Sequence, residues 1–354
     1  MMNNRRALIV GIKSLSLSDK EKSFLKKYQP WGVILFSRNI KSITQARKLT
    51  NSIKKIFKDK NYPILIDQEG GRVNRLSNII SFDNLTSEYF GNLYEKDKNY
   101  PILIDQEGGK VNRLKNIINF DNFTSEYFGD LFLKDIKKFK IIYKLFIDKT
   151  SLLLKLIGAN INTVPVLDLS IKGASNVIGN RSYSKDKKIV SKIGNFCIKH
   201  FHINSIGTVM KHIPGHGLAN VDSHFFTPIV KNSLKYMFNN DFYPFKNQNC
   251  FFAMTAHVIY KKIDNLNTAT QSKKLISIIR KKIGFKKILI SDDISMKSLK
   301  DDIRTNTIKT FSSGCNIVLH CNGNLSEMKI VADNSPKLSE FIIKKTSLFY
   351  RILS

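Results

Sequence analysis

The residue types best suited to acid–base chemistry are gathered in one stretch of fourteen residues, 211–224, which reads KHIPGHGLANVDSH. It contains one lysine, one aspartate and three histidines: Lys211, His212, His216, Asp222 and His224. Imidazoles titrate near neutral pH, so they can give and take protons, and a neighbouring carboxylate can orient them. Proline and glycine at Pro214, Gly215 and Gly217 oppose a regular helix. We therefore expect a loop carrying catalytic groups, with a polar surface loop as the simpler alternative.

The elements that would position this loop are short apolar runs typical of buried strands. Eight such runs begin near residues 7, 32, 63, 161, 206, 251, 288 and 316, each separated from the next by room for a helix. Several of them end in polar groups: Asp67, Asp168, Lys211, His212, His257, Asp292 and His320. Alternating strands and helices with polar groups at the strand ends predict an α/β fold, a (β/α)₈ TIM-type barrel. The rival, a doubly wound open sheet, lacks a glycine-rich phosphate loop after the first strand.

The chain also contains an internal 38-residue tandem duplication, because residues 59–96 and 97–134 align without a gap and differ at seven positions. Two copies are too few for a solenoid, so we expect a single domain over 1–354 with one copy as an insertion. Spacing from the second strand favours the first copy, whereas spacing to Arg181 favours the second copy. The first copy has Arg72 where the second has Lys110. We favour the first copy for the third strand and keep the second as the alternative.

Composition narrows the function classes. The 354 residues are 42% hydrophobic and 24% charged, and the formal net charge is +30. Such a charge attracts anionic partners, but no nucleic-acid-binding signature accompanies it, so we expect no nucleic-acid partner. No apolar run is long enough for a membrane span. The four cysteines form no C-x-x-C pair and are predicted to be reduced thiols. We expect a cytoplasmic monomer that does not bind membranes.

Three motifs now fall on one face of the predicted barrel: DQEGGRVNR, KHIPGHG followed by DSH, and ISDDISM. Together they resemble the β-N-acetylhexosaminidases of glycoside hydrolase family 3, of the type used in bacterial peptidoglycan recycling. The segments GVILFSRN, AMTAHVIY and SSGCNIVLHCN resemble that family too, and the resemblance runs from about Ala7 to Asn322. It implies retaining hydrolysis of terminal β-linked N-acetylglucosamine from muropeptides, without a metal or organic cofactor.

The resemblance also implies roles for particular residues. Asp292 is the nucleophile that forms a covalent glycosyl-enzyme, and the pair His224–Asp222 is the acid/base. The implied substrate-binding residues are Asp67, Arg75, Arg181, Lys211 and His212, with Asp105 and Arg113 of the second copy as alternatives to the first two. From the residues alone, the less favoured alternative for Asp292 is a helix cap, a role that suits Asp293 better. For Asp67 with Arg75 the less favoured alternative is an ion pair that shapes a loop.

Three other functions stay open at this point. The duplication makes a degenerate homologue possible, one that binds muropeptides without hydrolysing them. A metal hydrolase could use His212, His216, Asp222 and His224, although the Pro-Gly between the first two opposes helical ligand spacing. A basic nucleic-acid binder is the third class, and its binding would depend steeply on salt.

Overall fold

The fold is built around a closed parallel barrel. The structure is a computed structural model, and it describes residues 2–70, 73–76, 123–171, 177–223 and 225–353. Within the described chain the barrel has eight strands: β1 (Arg6–Gly11), β2 (Pro30–Leu35), β3 (Ile64–Ile66), β4 (Ile161–Asn162), β5 (Gly207–Ile213), β7 (Phe252–Thr255), β9 (Ile288–Asp293) and β10 (Ile317–His320). Two further strands, β6 (Ile229–Val230) and β8 (Ile259–Tyr260), pair outside the barrel. All eight predicted barrel strands are present, which confirms the predicted barrel.

Helices follow the strands on the outside of the barrel. In the described residues they are α1 (Asp19–Tyr28), α2 (Ile43–Phe57), α3 (Ser125–Lys134), α4 (Ile136–Leu156), α5 (Lys187–Ile203), α6 (Leu234–Asn239), α7 (Lys273–Ile278), α8 (Ile303–Ser313), α9 (Leu325–Asp333) and α10 (Glu340–Tyr350). Ser42 caps α2 by accepting a hydrogen bond from the amide of Gln45, as the sequence predicts. Ser18 and Glu21 form a full capping box at α1.

The barrel strands are apolar on both faces because each face is covered. On β1, Ala7 and Ile9 point into the barrel core, whereas Leu8 and Val10 join the layer between strands and helices. The amino-terminal end of the barrel is closed by α10, where Thr346 accepts a hydrogen bond from Trp31 Nε1 at 2.9 Å. This packing leaves the opposite, carboxyl-terminal mouth for the site.

The two repeat copies contribute different elements to the described fold. The third strand, β3, belongs to the first copy and pairs with β2 and β4, whereas α3 belongs to the second copy. Gly129 in α3 lies so close to Tyr183 that an added Cβ would be 1.6 Å from the carbonyl oxygen of Tyr183. Residues 77–122, which complete the two copies, lie outside the described residues.

A half-buried histidine near the amino-terminal end of the barrel makes folding stability depend on pH. Burial, followed by the charge of Lys287, lowers the pKa of His202 to about 4, and its Nε2 lies 3.0 Å from Thr208 Oγ1. The unfolded chain therefore binds a proton here that the folded chain does not, as pH falls from about 6.5 toward 4. We expect the free energy of unfolding, measured with urea, to decline as pH falls through that window. The decline should be smaller for His202→Gln than for the parent. If the free energies of unfolding of the variant and the parent changed equally with pH, the pKa of His202 would not be lowered by folding.

Candidate active site

Six of the predicted site residues line one pocket of about 210 Å³. They are Asp67, Arg75, Arg181, Lys211, His212 and Asp292. Lys211, His212 and Asp292 lie at the carboxyl ends of β5 and β9, and Asp67 directly follows β3. The ends of parallel strands meet at one mouth of a closed barrel, which is how residues more than 200 positions apart come to share this pocket.

Buried charges of alternating sign form one wall of the pocket. Lys211 Nζ lies 2.6 Å from Asp67 Oδ1 and 2.6 Å from Glu69 Oε1. Glu69 in turn accepts two hydrogen bonds from Arg181, at 2.7 and 2.8 Å. Lys211 also donates to Thr163 at 3.3 Å, so each of its three N–H groups has an acceptor. The wall is a continuous chain of ion pairs in the order Asp67, Lys211, Glu69, Arg181.

These pairs keep both carboxylates ionised. Burial opposes the charge, but Lys211 and Arg75 hold the pKa of Asp67 below its ordinary value, and Arg181 and Lys211 do the same for Glu69. Burial likewise opposes the charge on Lys211, yet the two carboxylates raise its pKa. The folded state therefore holds fewer protons on Asp67 and Glu69 than the unfolded chain does. Their contribution to stability is present above about pH 4 and is lost on further acidification.

Removing the central cation of this series of ion pairs is expected to destabilise the fold strongly. Lys211→Met would leave two buried carboxylates without their shared cation, so we expect a loss of about 3–5 kcal/mol in the free energy of unfolding. The control is Lys144→Met, which removes an exposed helical pair with Asp148 and should cost less than about 1 kcal/mol. Urea unfolding at neutral pH measures both. If both substitutions lowered the free energy of unfolding equally, the buried ion pairs would contribute no more to stability than the exposed pair.

A hydrogen bond to the backbone of Arg75 positions this residue at the pocket. Its amide donates to Gln68 Oε1 at 2.8 Å, and the amide of Gln68 donates to Asn162 Oδ1 at 3.0 Å. The Arg75 guanidinium lies over the ring of Phe36 and 3.5 Å from Asp67. Its buried Nε has no hydrogen-bond partner within the part of the chain that the structure describes. Among the described residues, that N–H is therefore a donor still available to a ligand.

Lys211 and His212 line the pocket together although they are consecutive in a strand. Side chains normally alternate between faces of a sheet, but the ladder between β5 and β7 shifts register between Lys211 and Ile213. His212 Nδ1 donates to Asp168 Oδ2 at 2.6 Å, because an ionised carboxylate can only accept. Burial would raise the pKa of Asp168, but its interactions with His212 and His216 outweigh that effect and lower the pKa. His212 Nε2 is thus the ring nitrogen left for a ligand.

Asp292 is the second-last residue of β9 and a partly buried carboxylate, and its Oδ1 accepts a hydrogen bond from the amide of Asp293 at 2.8 Å. Burial alone would raise the pKa of Asp292, but His257, His212 and that amide hold it below its ordinary value. His257 Nε2 donates to the carbonyl of Asp293 at 3.0 Å, and its Nδ1 lies 2.7 Å from Thr270 Oγ1. An ionised, oriented carboxylate at this position is suited to nucleophilic attack.

The adjacent Asp293 has a different task. Its Oδ1 accepts hydrogen bonds from the amide and hydroxyl of Ser295, at 3.0 and 2.8 Å, and from the amide of Cys321 at 3.3 Å. These bonds shape the turn after β9 and connect it to the end of β10. Both carboxylates line the pocket, but Oδ1 of Asp293 is occupied by these turn contacts, whereas among the described residues Oδ1 of Asp292 accepts only the amide of Asp293.

The loop after β5 turns sharply at Asp222, whose carbonyl accepts the amides of Phe225 and Phe226 at 3.1 and 2.9 Å. Ser223 lines the same pocket as Asp292 and lies 3.2 Å from His216 Nε2. The loop segment next to the predicted acid/base pair thus borders the pocket. His224 itself lies outside the described residues, as do Asp105 and Arg113 of the second copy.

Sequence reasoning missed three residues that hold the site together: Glu69, Asp168 and His257. Asp168 and His257 were visible as polar groups at strand ends, and Glu69 lies inside the DQEGG motif. Their partners come from other strands, so no local sequence pattern indicated these contacts. Among the described residues, no group of three or more His, Cys, Asp or Glu side chains is arranged to hold a metal ion.

Comparison with a family model decides the relationship. Residues 94–345, more than half of the chain, match the N-terminal domain of glycosyl hydrolase family 3. The chain belongs to this family. The match passes through the second repeat copy, whereas the closed barrel uses the strand of the first. We assign β3 to the first copy because it completes the barrel between β2 and β4, and the near identity of the copies explains the different match.

Individual relatives agree with the predicted family of glycosidases. A β-hexosaminidase of Neisseria meningitidis serogroup A is 28% identical over 324 residues, which covers 90% of this chain and 78% of the relative. One from Hydrogenovibrio crunogenus is 28% identical over 330 residues, covering 92% and 81%. The structure of NagZ from Neisseria gonorrhoeae in complex with N-trifluoroacetyl-D-glucosamine has a TM-score of 0.77 and 26% identity, and the alignment covers 98% of this chain and 90% of NagZ.

Two predictions from composition have structural outcomes. The four cysteines are free thiols, three of them buried, as predicted. No helix in the described ranges is long and apolar enough to cross a membrane.

Proposed function

We propose that this chain is a retaining β-N-acetylglucosaminidase that releases terminal β-linked N-acetylglucosamine through a covalent intermediate on Asp292. One observation carries the proposal most directly: Asp292 lines the same pocket as Asp67, Arg75, Lys211 and His212, in a chain of glycosyl hydrolase family 3. Two of the relatives named above are β-hexosaminidases, and the NagZ structure contains bound N-trifluoroacetyl-D-glucosamine.

In the first step, the Asp292 carboxylate attacks the anomeric carbon and forms an ester with the sugar, while the glycosidic C–O bond breaks. His224, oriented by Asp222, donates a proton to the departing oxygen. The ring nitrogen that lost the proton can take one back from water in the second step. That water attacks the anomeric carbon, the ester bond to Asp292 breaks, and the sugar leaves with its original configuration.

The remaining pocket residues hold the sugar. Because Lys211 uses all three of its donors within the protein, its main task is to fix Asp67, whose Oδ2 can accept a hydrogen bond from a sugar hydroxyl. His212 Nε2 and Arg75 Nε supply further partners, the first beside Asp292 and the second beside Asp67. Buried groups that lack protein partners are expected to be satisfied by the ligand.

For the natural substrate we propose an N-acetylglucosaminyl-anhydromuramyl peptide from wall turnover. The family resemblance implies this class, and the carboxylates of the peptide suit a protein with a formal net charge of +30. Release of N-acetylglucosamine from muropeptides, measured by chromatography against chitobiose as the competing disaccharide, tests the preference.

The activity is tested with purified protein and aryl glycosides. We expect release of the aryl group from the β-N-acetylglucosaminide and not from the β-glucoside, with activity unchanged by a chelator. Binding of N-acetylglucosamine without turnover would support a degenerate binding homologue instead. Activity that disappears with chelator would support the metal hydrolase.

A further inference from the structure

Two fully buried carboxyl groups lie beneath the turn that begins the predicted acid/base loop, and the proposed reaction uses neither of them. Asp168 follows β4, and Asp241 lies between α6 and the short helical turn Tyr243–Phe245. Their surroundings are opposite in character. Asp168 is surrounded by N–H donors, whereas Asp241 is surrounded by glycine backbone. These surroundings favour different protonation states for the two groups.

Asp168 accepts every donor that the turn presents to it. The amide and Nδ1 of His212 donate at 3.2 and 2.6 Å, and the amide of His216 donates at 2.7 Å. His216 then lies 3.2 Å from Ser223 Oγ through its Nε2. A carboxylate with three N–H donors is stable as an anion even when fully buried. Asp168 therefore connects the sugar-binding His212 with the loop residue that follows Asp222.

Asp241 packs against the same turn without such donors. A Cβ on Gly215 would be 2.6 Å from Asp241 Oδ2, and one on Gly217 would be 2.9 Å from Asp241 Oδ1. Gly215 also has φ +147°, in the region that favours glycine. Neither oxygen of Asp241 has a hydrogen-bond partner within the described chain. The two glycines are thus required by the close approach of this carboxyl group.

The charged and titratable groups that face Asp241 give its charge no compensation. They are Asp168 and Tyr260, whose hydroxyl donates to the carbonyl of Gly215. No described basic side chain forms an ion pair with it. Burial and then the charge of Asp168 raise the pKa of Asp241 well above its usual range, and the nearby Gly217 amide, which lies outside hydrogen-bond geometry, opposes them only in part. Two like charges at one turn favour a single proton, on the carboxyl group without donors.

We propose that Asp168 and Asp241 are paired positioning residues of the acid/base loop, Asp168 as an anion that aligns His212 and His216, and Asp241 as a neutral acid that supports the Gly215–Gly217 turn. This inference rests on the proposed function, because the loop is the one that carries Asp222 and His224. It adds two residues to the account that neither touch the sugar nor react.

The same substitution at both positions separates the two states. Asparagine resembles a neutral acid in shape and hydrogen bonding, so we expect Asp241→Asn to keep kcat/KM within about threefold of the parent. At Asp168 an amide offers one acceptor oxygen to three donors and turns its own N–H groups toward them. We expect Asp168→Asn to lower kcat/KM by about a hundredfold or more.

Two readouts exclude a purely structural role. For Asp168→Asn, the loss in kcat should be larger for aryl glycosides with poor leaving groups, because these need the proton that the loop supplies. For Asp241→Asn, thermal stability relative to the parent should rise as pH increases from 5 to 8. A raised pKa in the folded state means that the parent loses stability as pH rises toward that value, and the variant does not.

The outcomes are distinct. Equal damage from both variants, or a stability difference of Asp241→Asn that does not change with pH, would overturn the pairing. If Asp168→Asn does not fold, Ser223→Ala tests the same connection without leaving a buried charge. It should show the same leaving-group dependence, and a uniform loss would count against the proposal. If the parent shows no glycosidase activity, the proposed function fails, while the pH dependence of stability still tests Asp241.

Discussion

Asp292→Asn is expected to lower kcat for an aryl β-N-acetylglucosaminide by at least about a thousandfold, because an amide of the same shape is a far weaker nucleophile. Asp292 forms a hydrogen bond with the amide of Asp293 that an asparagine oxygen can still accept. We therefore expect the variant to fold and to bind N-acetylglucosamine with little change. Steady-state kinetics and calorimetric binding measure the two effects separately.

The control is the same substitution one residue along the chain. Asp293→Asn removes part of the bonding to Ser295 and Cys321, so we expect a lower melting temperature and a much smaller loss of kcat. If Asp293→Asn abolishes turnover and Asp292→Asn does not, the nucleophile has been assigned to the wrong carboxylate.

Asp67→Asn is expected to lower kcat/KM by about a hundredfold or more, whereas Asp105→Asn, its equivalent in the second copy, should leave activity near that of the parent. Asp67 accepts hydrogen bonds from Lys211 and Thr163 at 2.6 Å each, and it faces the pocket. Hydrogen bonds to charged groups contribute about 1.5–3 kcal/mol each, so their loss is large on this scale. Kinetics of the two purified variants measure the difference.

This pair of variants also identifies which copy serves the site. A large loss from Asp105→Asn with little effect of Asp67→Asn would assign the site to the second copy. Deleting residues 77–114 offers a further check, because it removes 38 residues, one repeat length, and keeps both β3 and α3. We expect the shortened protein to fold and to retain activity. Loss of folding would mean that the removed segment is required.

The barrel was predictable from the sequence because buried parallel strands appear as short apolar runs between helical patterns. Strand boundaries were harder to predict. The run at 161–166 gives only a two-residue β4, since Pro165 has no amide to donate to the ladder. In contrast, β5 extends through Lys211 and His212 to Ile213, because pairing with β7 continues beyond the apolar run.

The candidate site was predictable as a set of residues and not as a set of contacts. The motifs indicated Asp67, Lys211, His212 and Asp292, since each lies at or just beyond a strand end. Their partners depend on which strands become neighbours around the barrel. Glu69 illustrates this, because it bridges Lys211 and Arg181, residues that lie more than 100 positions away in the chain.

The covalent intermediate on Asp292 is the central claim, and trapping it is the most direct test. The protein would be incubated with a fluorinated N-acetylglucosaminyl fluoride, which slows release of the sugar, and then digested with trypsin. We predict one added sugar on the peptide Ile288–Lys297, with fragmentation placing it on Asp292. A sugar on any other carboxylate, or an unlabelled protein that hydrolyses its substrate with inversion, would contradict the account.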